Sequence, residues 1–312
     1  MLLYQLLNRN FFRTQLRNLS YLIGSWRRAP HSYFIAKPLW SYLMFIQSWL
    51  AWRFYSPSEK HTQQSFITLR FDDATVGQKK YALPIMEKYG MKGVLAVPTA
   101  AIGKKIVIHS LHNKYVPIQS WREVDEFVRC GWEIASHSRH HRSQNNIWLR
   151  GPWVKLSESE LYEEIAVSKE DLKAKLGFIP KTLVVPGLTL TQNPLGRREI
   201  KLIVKHYQFF SVSLSDLNDI ILNVPSKYMF GLWGIPIYPS PLLRPTIRKI
   251  LRILLEKRGS WAILFFHDIG DDRQKKLLRK KDLQMIVREV LSHNNIEVVT
   301  FIEGIKECEG LI

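Results

Sequence analysis

Apolar runs and helical patterns alternate along this chain from residue 65 onward, and that alternation constrains the fold more than any other feature. Strand-like runs lie at Phe66–Phe71, Gly93–Val97, Trp132–Ala135, Thr182–Val185, Phe209–Leu214, Trp261–Phe266 and Glu297–Phe301. Helical patterns sit between several of them, at Gln78–Tyr89, Ser120–Cys130, Ser157–Leu176, Pro241–Lys257 and Lys281–His293. Such alternation calls for a parallel sheet covered by helices, as an open α/β sheet or a barrel. Polar residues follow the strand ends: Asp72 and Asp73 after the first run, His137 after the third, His267 after Trp261–Phe266. Ligands collect at the carboxyl ends of parallel strands, and a barrel unites distant ends most simply. A (β/α) barrel is therefore expected over residues 65–306, with residues 307–312 as a tail.

The 312 residues are 46% hydrophobic, enough for a substantial core. Two cysteines, Cys130 and Cys308, exclude a disulfide framework and a thiolate metal cluster. The net charge of +18 favours an anionic partner. No recognition module for nucleic acid accompanies it, so nucleic-acid binding is not expected.

Residues 1–55 differ from the rest. Bulky apolar residues such as Leu6, Leu7, Phe11, Leu16 and Leu19 are interleaved with Arg9, Arg13 and Arg17, which recur every four positions. That pattern describes an amphipathic helical extension lying in a membrane interface, here with an anionic surface. The segment Leu39–Trp52 is more apolar, but Lys37 and Arg53 leave only 15 residues between charges, short of the ~20 that span a bilayer. It is read as interfacial, with a short tilted span or a helical hairpin packed on the barrel as alternatives. Residues 56–64 form a polar linker. The chain is expected to be membrane-associated. If residues 39–52 lie at the surface, the barrel stays on the cytoplasmic face, the favoured side; if they span, it is exported.

The chemistry concentrates in two clusters. In Ser136-His137-Ser138-Arg139-His140-His141, the histidines at 137 and 141 can address one point from a helical turn, with His140 directed away. Imidazole nitrogen and a carboxylate from another strand make a three-ligand metal site with an open position. The pair Asp72-Asp73 can supply a ligand and a proton acceptor where the strand ends. His267, followed by Asp268, is placed to act as a general acid. A rival pair, His109 and His112, lacks an acidic partner, and His31, His61, His206 and His293 are read as ordinary surface or core residues.

The order Phe71-Asp72-Asp73, then His137-Ser138-x-x-His141, then a strand ending in His267-Asp268 resembles the polysaccharide deacetylases of carbohydrate esterase family 4. Tyr81–Gly93 is similar to that family's first helix and second strand, Gly131–His137 to the approach to its histidine motif, and Ile296–Phe301 to its closing strand. The resemblance implies a distorted (β/α) barrel in which Asp73, His137 and His141 hold a divalent metal, most often Zn2+. It implies Asp72 as general base, His267 as general acid, and an acetylated glycan or glycolipid as substrate, usually through N-acetylglucosamine units.

Three departures accompany the likeness. Ala74 stands where the family has glycine. The third motif is reduced to Leu183-Val184-Val185-Pro186-Gly187, without the arginine that steadies the catalytic aspartate, so Arg70 or Arg139 is expected to substitute. The fourth motif has no clear match in Phe210–Asp219, and Asp216 is left unassigned. The expected activity is metal-dependent removal of acetyl groups from a sugar. The alternatives are hydrolysis of cyclic amides on the same fold, or a catalytically degenerate glycan-binding member.

Overall fold

The computed structural model describes residues 36–54, 64–108, 114–142, 153–187, 193, 195–213, 220–224, 231–274 and 277–310. The expectations placed on residues 1–35, on nearly all of the linker, on His31, His61, His109, His112 and Asp216, and on the last two residues fall outside them.

Twelve strands are described. In chain order they are β1 (Ser65–Asp72), β2 (Val94–Val97), β3 (Lys105–Ile108), β4 (Lys114–Pro117), β5 (Glu133–Ser136) and β6 (Thr182–Val184). There follow β7 (Phe209–Ser213), β8 (Leu232–Pro236), β9 (Trp261–Phe266), β10 (Ile269–Gly270), β11 (Leu278–Arg279) and β12 (Ile296–Val298). Seven of them, β1-β2-β5-β6-β7-β8-β9, are parallel neighbours, and β1 pairs with β9 from Phe66↔Trp261 to Phe71↔Phe266, closing the ring. β12 adds to the outside of the seam on β1. The fold is a closed (β/α) barrel, as expected.

Both faces of every barrel strand are covered, so β1 is buried along its whole length rather than on alternate residues. The alternation survives as a division of labour. Ile67, Leu69 and Phe71 face outward into the main core beneath the helices, where Phe71 meets Trp132 at 5.2 Å and Phe266 at 5.1 Å between ring centroids. Phe66 joins a second, inner cluster with Val94, Ala96, Ala135, Val184, Leu232, Trp261 and Ile263. Phe301, Ile305 and Cys308 of helix Phe301–Gly310 belong to that inner cluster and close one end of the lumen. Packed structure thus continues past residue 306.

Several elements lie outside the sequence reading, among them the β3–β4 hairpin, β10, β11 and helix Arg197–His206; two further departures bear on the barrel itself. The run Glu297–Phe301 is strand only at its start, because Thr300 and Glu303 form a reciprocal cap that begins a helix at Phe301: the Thr300 N–H donates to Glu303 Oε2 (2.8 Å) and the Glu303 N–H to Thr300 Oγ1 (3.4 Å). β8 lies outside the strand-like runs of the sequence and carries Gly234 and Pro236, residues that strands disfavour. Gly234 is required there by its neighbour: a Cβ would stand 3.0 Å from the Arg70 guanidinium and 3.1 Å from the Phe265 ring.

Helix Ala36–Phe54 packs on the outer wall beside β8. Met44 and Phe45 are buried, the Phe45 ring meeting Trp233 edge-on at 5.6 Å, and Lys257 Nζ donates to the Trp52 carbonyl at 3.0 Å. Among the described residues, no helix is long and apolar enough to cross a membrane. Phe45→Ala should lower the unfolding free energy by about 3 kcal/mol in denaturant titration, as for other buried aromatic truncations. Leu43→Ala on the exposed side of the same helix should change it by less than about 0.5 kcal/mol.

Candidate active site

β1 delivers two adjacent carboxylates to one place because the backbone turns sharply at its end. Asp73 (φ 78°) and Ala74 (φ 51°) both occupy the left-handed region, which aspartate tolerates and alanine enters only at a cost of about 1 kcal/mol. This conformation explains why glycine suits the position of Ala74. Gln78 braces the turn: its Nε2 donates to the carbonyls of Asp72 (2.5 Å) and His267 (2.9 Å), and its Oε1 accepts from the Thr75 N–H (3.0 Å). One amide thereby ties the end of β1 to the end of β9.

His137 follows β5, and its N–H still donates to Val97 at 2.9 Å. The two histidines do not sit on a helical turn, as their spacing suggested. Ser138 (φ 62°) and His141 (φ 57°) are left-handed, and the loop is closed by the His141 N–H donating to Ser138 Oγ at 3.0 Å. A helix would direct both side chains outward from one axis; the loop folds them over the barrel mouth instead. Their ring centroids are 4.7 Å apart.

The structure brings Asp73, His137 and His141 together. Asp73 Oδ1 lies 3.2 Å from His141 Nε2 and 3.7 Å from His137 Nε2, and one ligand atom from each residue falls within a mutual 4.8 Å. Ligand atoms about 2.1 Å from a tetrahedral zinc lie about 3.4 Å from one another, so these separations fit an ion. The proton inventory agrees. His137 Nδ1 is 2.9 Å from the Val184 carbonyl, which can only accept, so Nδ1 carries the proton and Nε2 presents a lone pair. Both Asp73 carboxylate oxygens are buried without a hydrogen-bond partner. A cation between them would satisfy these buried lone pairs.

The electrostatics point the same way. Burial pushes the Asp73 carboxyl up to about 7, although the His267 charge opposes the rise. Burial, reinforced by His141, drives His137 down to about 3, keeping the imidazole neutral and able to ligate. Asp72 behaves differently from its neighbour. Burial resists its ionisation too, but Arg70, His137 and His267 outweigh burial and hold the carboxyl below its ordinary value.

Arg70 is the residue that meets Asp72. It is fully buried, and its Nη2 donates to Asp72 Oδ2 at 2.8 Å. It crosses the lumen to Ser211 Oγ (2.8 Å) and Ser213 Oγ (3.2 Å) on β7, and its guanidinium lies 4.3 Å over the Phe265 ring. Arg139, the other candidate, turns away to Glu163 and Asp171. Asp72 Oδ1 is left buried and unpartnered. His267 stacks on Tyr238 (6.3 Å, 10° between planes) and meets Phe265 edge-on at 5.8 Å. Asp268 accepts from Thr75 Oγ1 at 2.7 Å and braces the β1 turn.

The sequence reading missed Gln78, Ser211, Ser213, Tyr238 and Glu164. Glu164 is fully buried on a π-helical turn, Glu163–Val167, and organises the histidine loop. Its carboxylate accepts from the His140 N–H (3.0 Å), pairs with His140 Nδ1 (2.7 Å) and with Arg142 Nε (3.1 Å). The helical period over Ser157–Leu176 was visible, but a π turn shifts which side chains face inward.

Residues 59–199 match the family profile described as Polysaccharide deacetylase. The matched stretch is just under half of the 312 residues. The profile covers β1 through β6, Asp72-Asp73 and the His137–His141 loop, while His267 lies beyond it. Among solved structures, this chain is similar to the Xyl-CE4 domain of a multidomain xylanase from the hindgut metagenome of Trinervitermes trinervoides (18% identity, 79% of this chain and 92% of that one, TM-score 0.48). It is also similar to the peptidoglycan deacetylase PdaC of Bacillus subtilis (14%, 79% and 93%, 0.47). A third similar structure is a carbohydrate esterase family 4 pseudoenzyme of Bacillus anthracis (14%, 79% and 67%, 0.46). No curated protein sequence matches the chain.

Glu164 should act on metal affinity through the loop it holds. Glu164→Ala is expected to weaken Zn2+ binding, measured by competition with a chromophoric chelator, by about 10-fold or more. His206→Ala, outside the loop, should leave it unchanged.

Proposed function

We propose that this chain is a polysaccharide deacetylase, a divalent-metal hydrolase that removes N-acetyl groups from sugars of a glycan or glycolipid. The observation that carries the reading is the pairing of two adjacent buried carboxylates with opposite electrostatic fates. Asp73 is left without a counter-charge beside two imidazoles, while Asp72 is held ionised by Arg70. Asp73, His137 and His141 would hold the metal, for which Zn2+ is the best match to a carboxylate and two nitrogen ligands. When bound, the ion polarises the acetyl carbonyl and makes water more acidic.

The remaining steps belong to the chain. Asp72 Oδ1, buried and without a partner, receives the proton of the attacking water, while Oδ2 stays bonded to Arg70. Arg70 both orients that carboxylate and keeps it ionised. The Val184 carbonyl fixes the His137 tautomer, so the ring does not compete for the proton. His267, restrained between Tyr238 and Phe265, protonates the departing nitrogen as the C–N bond breaks. One water is consumed, and acetate and a free amino sugar leave.

Acetate release from N-acetylglucosamine oligomers should require metal, disappearing with chelator and returning with Zn2+. Release of product from cyclic ureides but not from acetylated sugars would favour the cyclic-amide reading, and no turnover with metal bound would favour a glycan-binding role. Arg70→Met should lower kcat/KM by about 100-fold or more and move the acidic limb of its pH profile upward. The sign follows from the base: Arg70 depresses the Asp72 carboxyl, so its loss means a higher pH is needed to ionise it. Arg139→Met should leave that limb in place.

A further inference from the structure

Helix Ala36–Phe54 has two apolar faces, and the barrel uses only one. Met44 and Phe45 are buried against the wall beside β8, with Trp49 and Trp52 packed partly on the same core. On the opposite side Leu43, Ile46 and Leu50 are 46%, 46% and 42% exposed, at spacings of three and four residues that form one stripe. No other described element exposes three large apolar side chains. A helix whose outer face meets only water carries charge there, yet this one has no acidic residue in its 19 positions.

The charge around the stripe identifies what covers it. The chain's first acidic residue is Glu59, and seven basic residues precede it: Arg9, Arg13, Arg17, Arg27, Arg28, Lys37 and Arg53. A second copy of the chain would bring an identical acid-free segment, and a net charge of +18, against its own like. An anionic bilayer offers an apolar zone for the leucines and isoleucine and headgroup charge for the arginines.

We propose that the outer face of helix Ala36–Phe54, with the basic segment before it, docks the barrel on an anionic membrane surface. The helix is then a shared element: its inner face completes the barrel wall and its outer face enters the lipid interface without crossing it. This inference stands on the helix and its charge, independently of the catalytic reading. It also means that deleting the whole N-terminal region would strip packing from the wall, so the test uses substitutions.

Full-length protein is sedimented with vesicles of phosphatidylcholine alone and of phosphatidylcholine with phosphatidylglycerol. It should pellet with the anionic vesicles, weakly with the neutral ones, and less as salt rises. The triple variant Leu43→Ser, Ile46→Ser, Leu50→Ser should lose about 10-fold or more of that partitioning, with its thermal midpoint and acetate release unchanged. A chain lacking residues 1–35 should bind more weakly, having lost five arginines. Unchanged binding by the triple variant would overturn the proposal. So would stronger binding after removal of residues 1–35, which would mean that they cover the stripe. Conversion of a dimer to a monomer by the triple substitution, in the absence of vesicles, would assign the stripe to a second copy and overturn it as well.

Discussion

A guanidinium buried inside a barrel is expensive to desolvate, and the arrangement of this site follows from how the two terminal nitrogens of Arg70 are paired. It reaches across the lumen from β1 to two serines on β7, lies over the Phe265 ring and ends on Asp72. The absence of a side chain at Gly234 leaves it room. Two neighbouring buried carboxylates cannot both ionise unless each has a cation. Arg70 serves Asp72; Asp73 has no such partner among the described residues, a deficit that the divalent ion proposed for the Asp73, His137 and His141 cluster would fill.

Around this pair the protein holds its loops with few groups, each doing two tasks. Gln78 joins the ends of β1 and β9 through one side-chain amide. Glu164 fixes the histidine loop by receiving His140 and Arg142, the residues on either side of His141. Left-handed backbone at Asp73, Ala74, Ser138 and His141 turns the chain where a regular strand or helix would carry the ligands apart. Local strain concentrated at ligand positions needs a rigid surround, which the closed barrel and its two apolar clusters provide.

The outer wall shows the same economy. A barrel strand must be covered on its outside, and helix Ala36–Phe54 contributes to that cover beside β8 although it comes from before the first strand. An element read from its composition as a membrane segment is therefore also part of the packed domain. The proposed membrane contact would account for its second apolar side.

Much of this was legible in the linear sequence. The alternation of apolar runs and helical periods marked six of the seven barrel strands, because parallel strands buried on both faces are continuous stretches of Phe, Ile, Leu and Val. The chemical residues were visible because they follow those runs at the strand ends. What escaped was whatever depends on distance across the fold. Gly234 and Pro236 hid β8, since only the neighbouring guanidinium explains the glycine. The choice between Arg70 and Arg139 could not be made from spacing, because both lie near a ligand in sequence and only one points into the lumen. Glu164 lay in a visible helix whose π turn altered its facing. The sequence by itself determined the kinds of element and the chemical groups, through periodicity and side-chain type. Tertiary structure alone decided which charge neutralises which, because buried electrostatics depend on separations of a few ångströms between residues far apart in the chain.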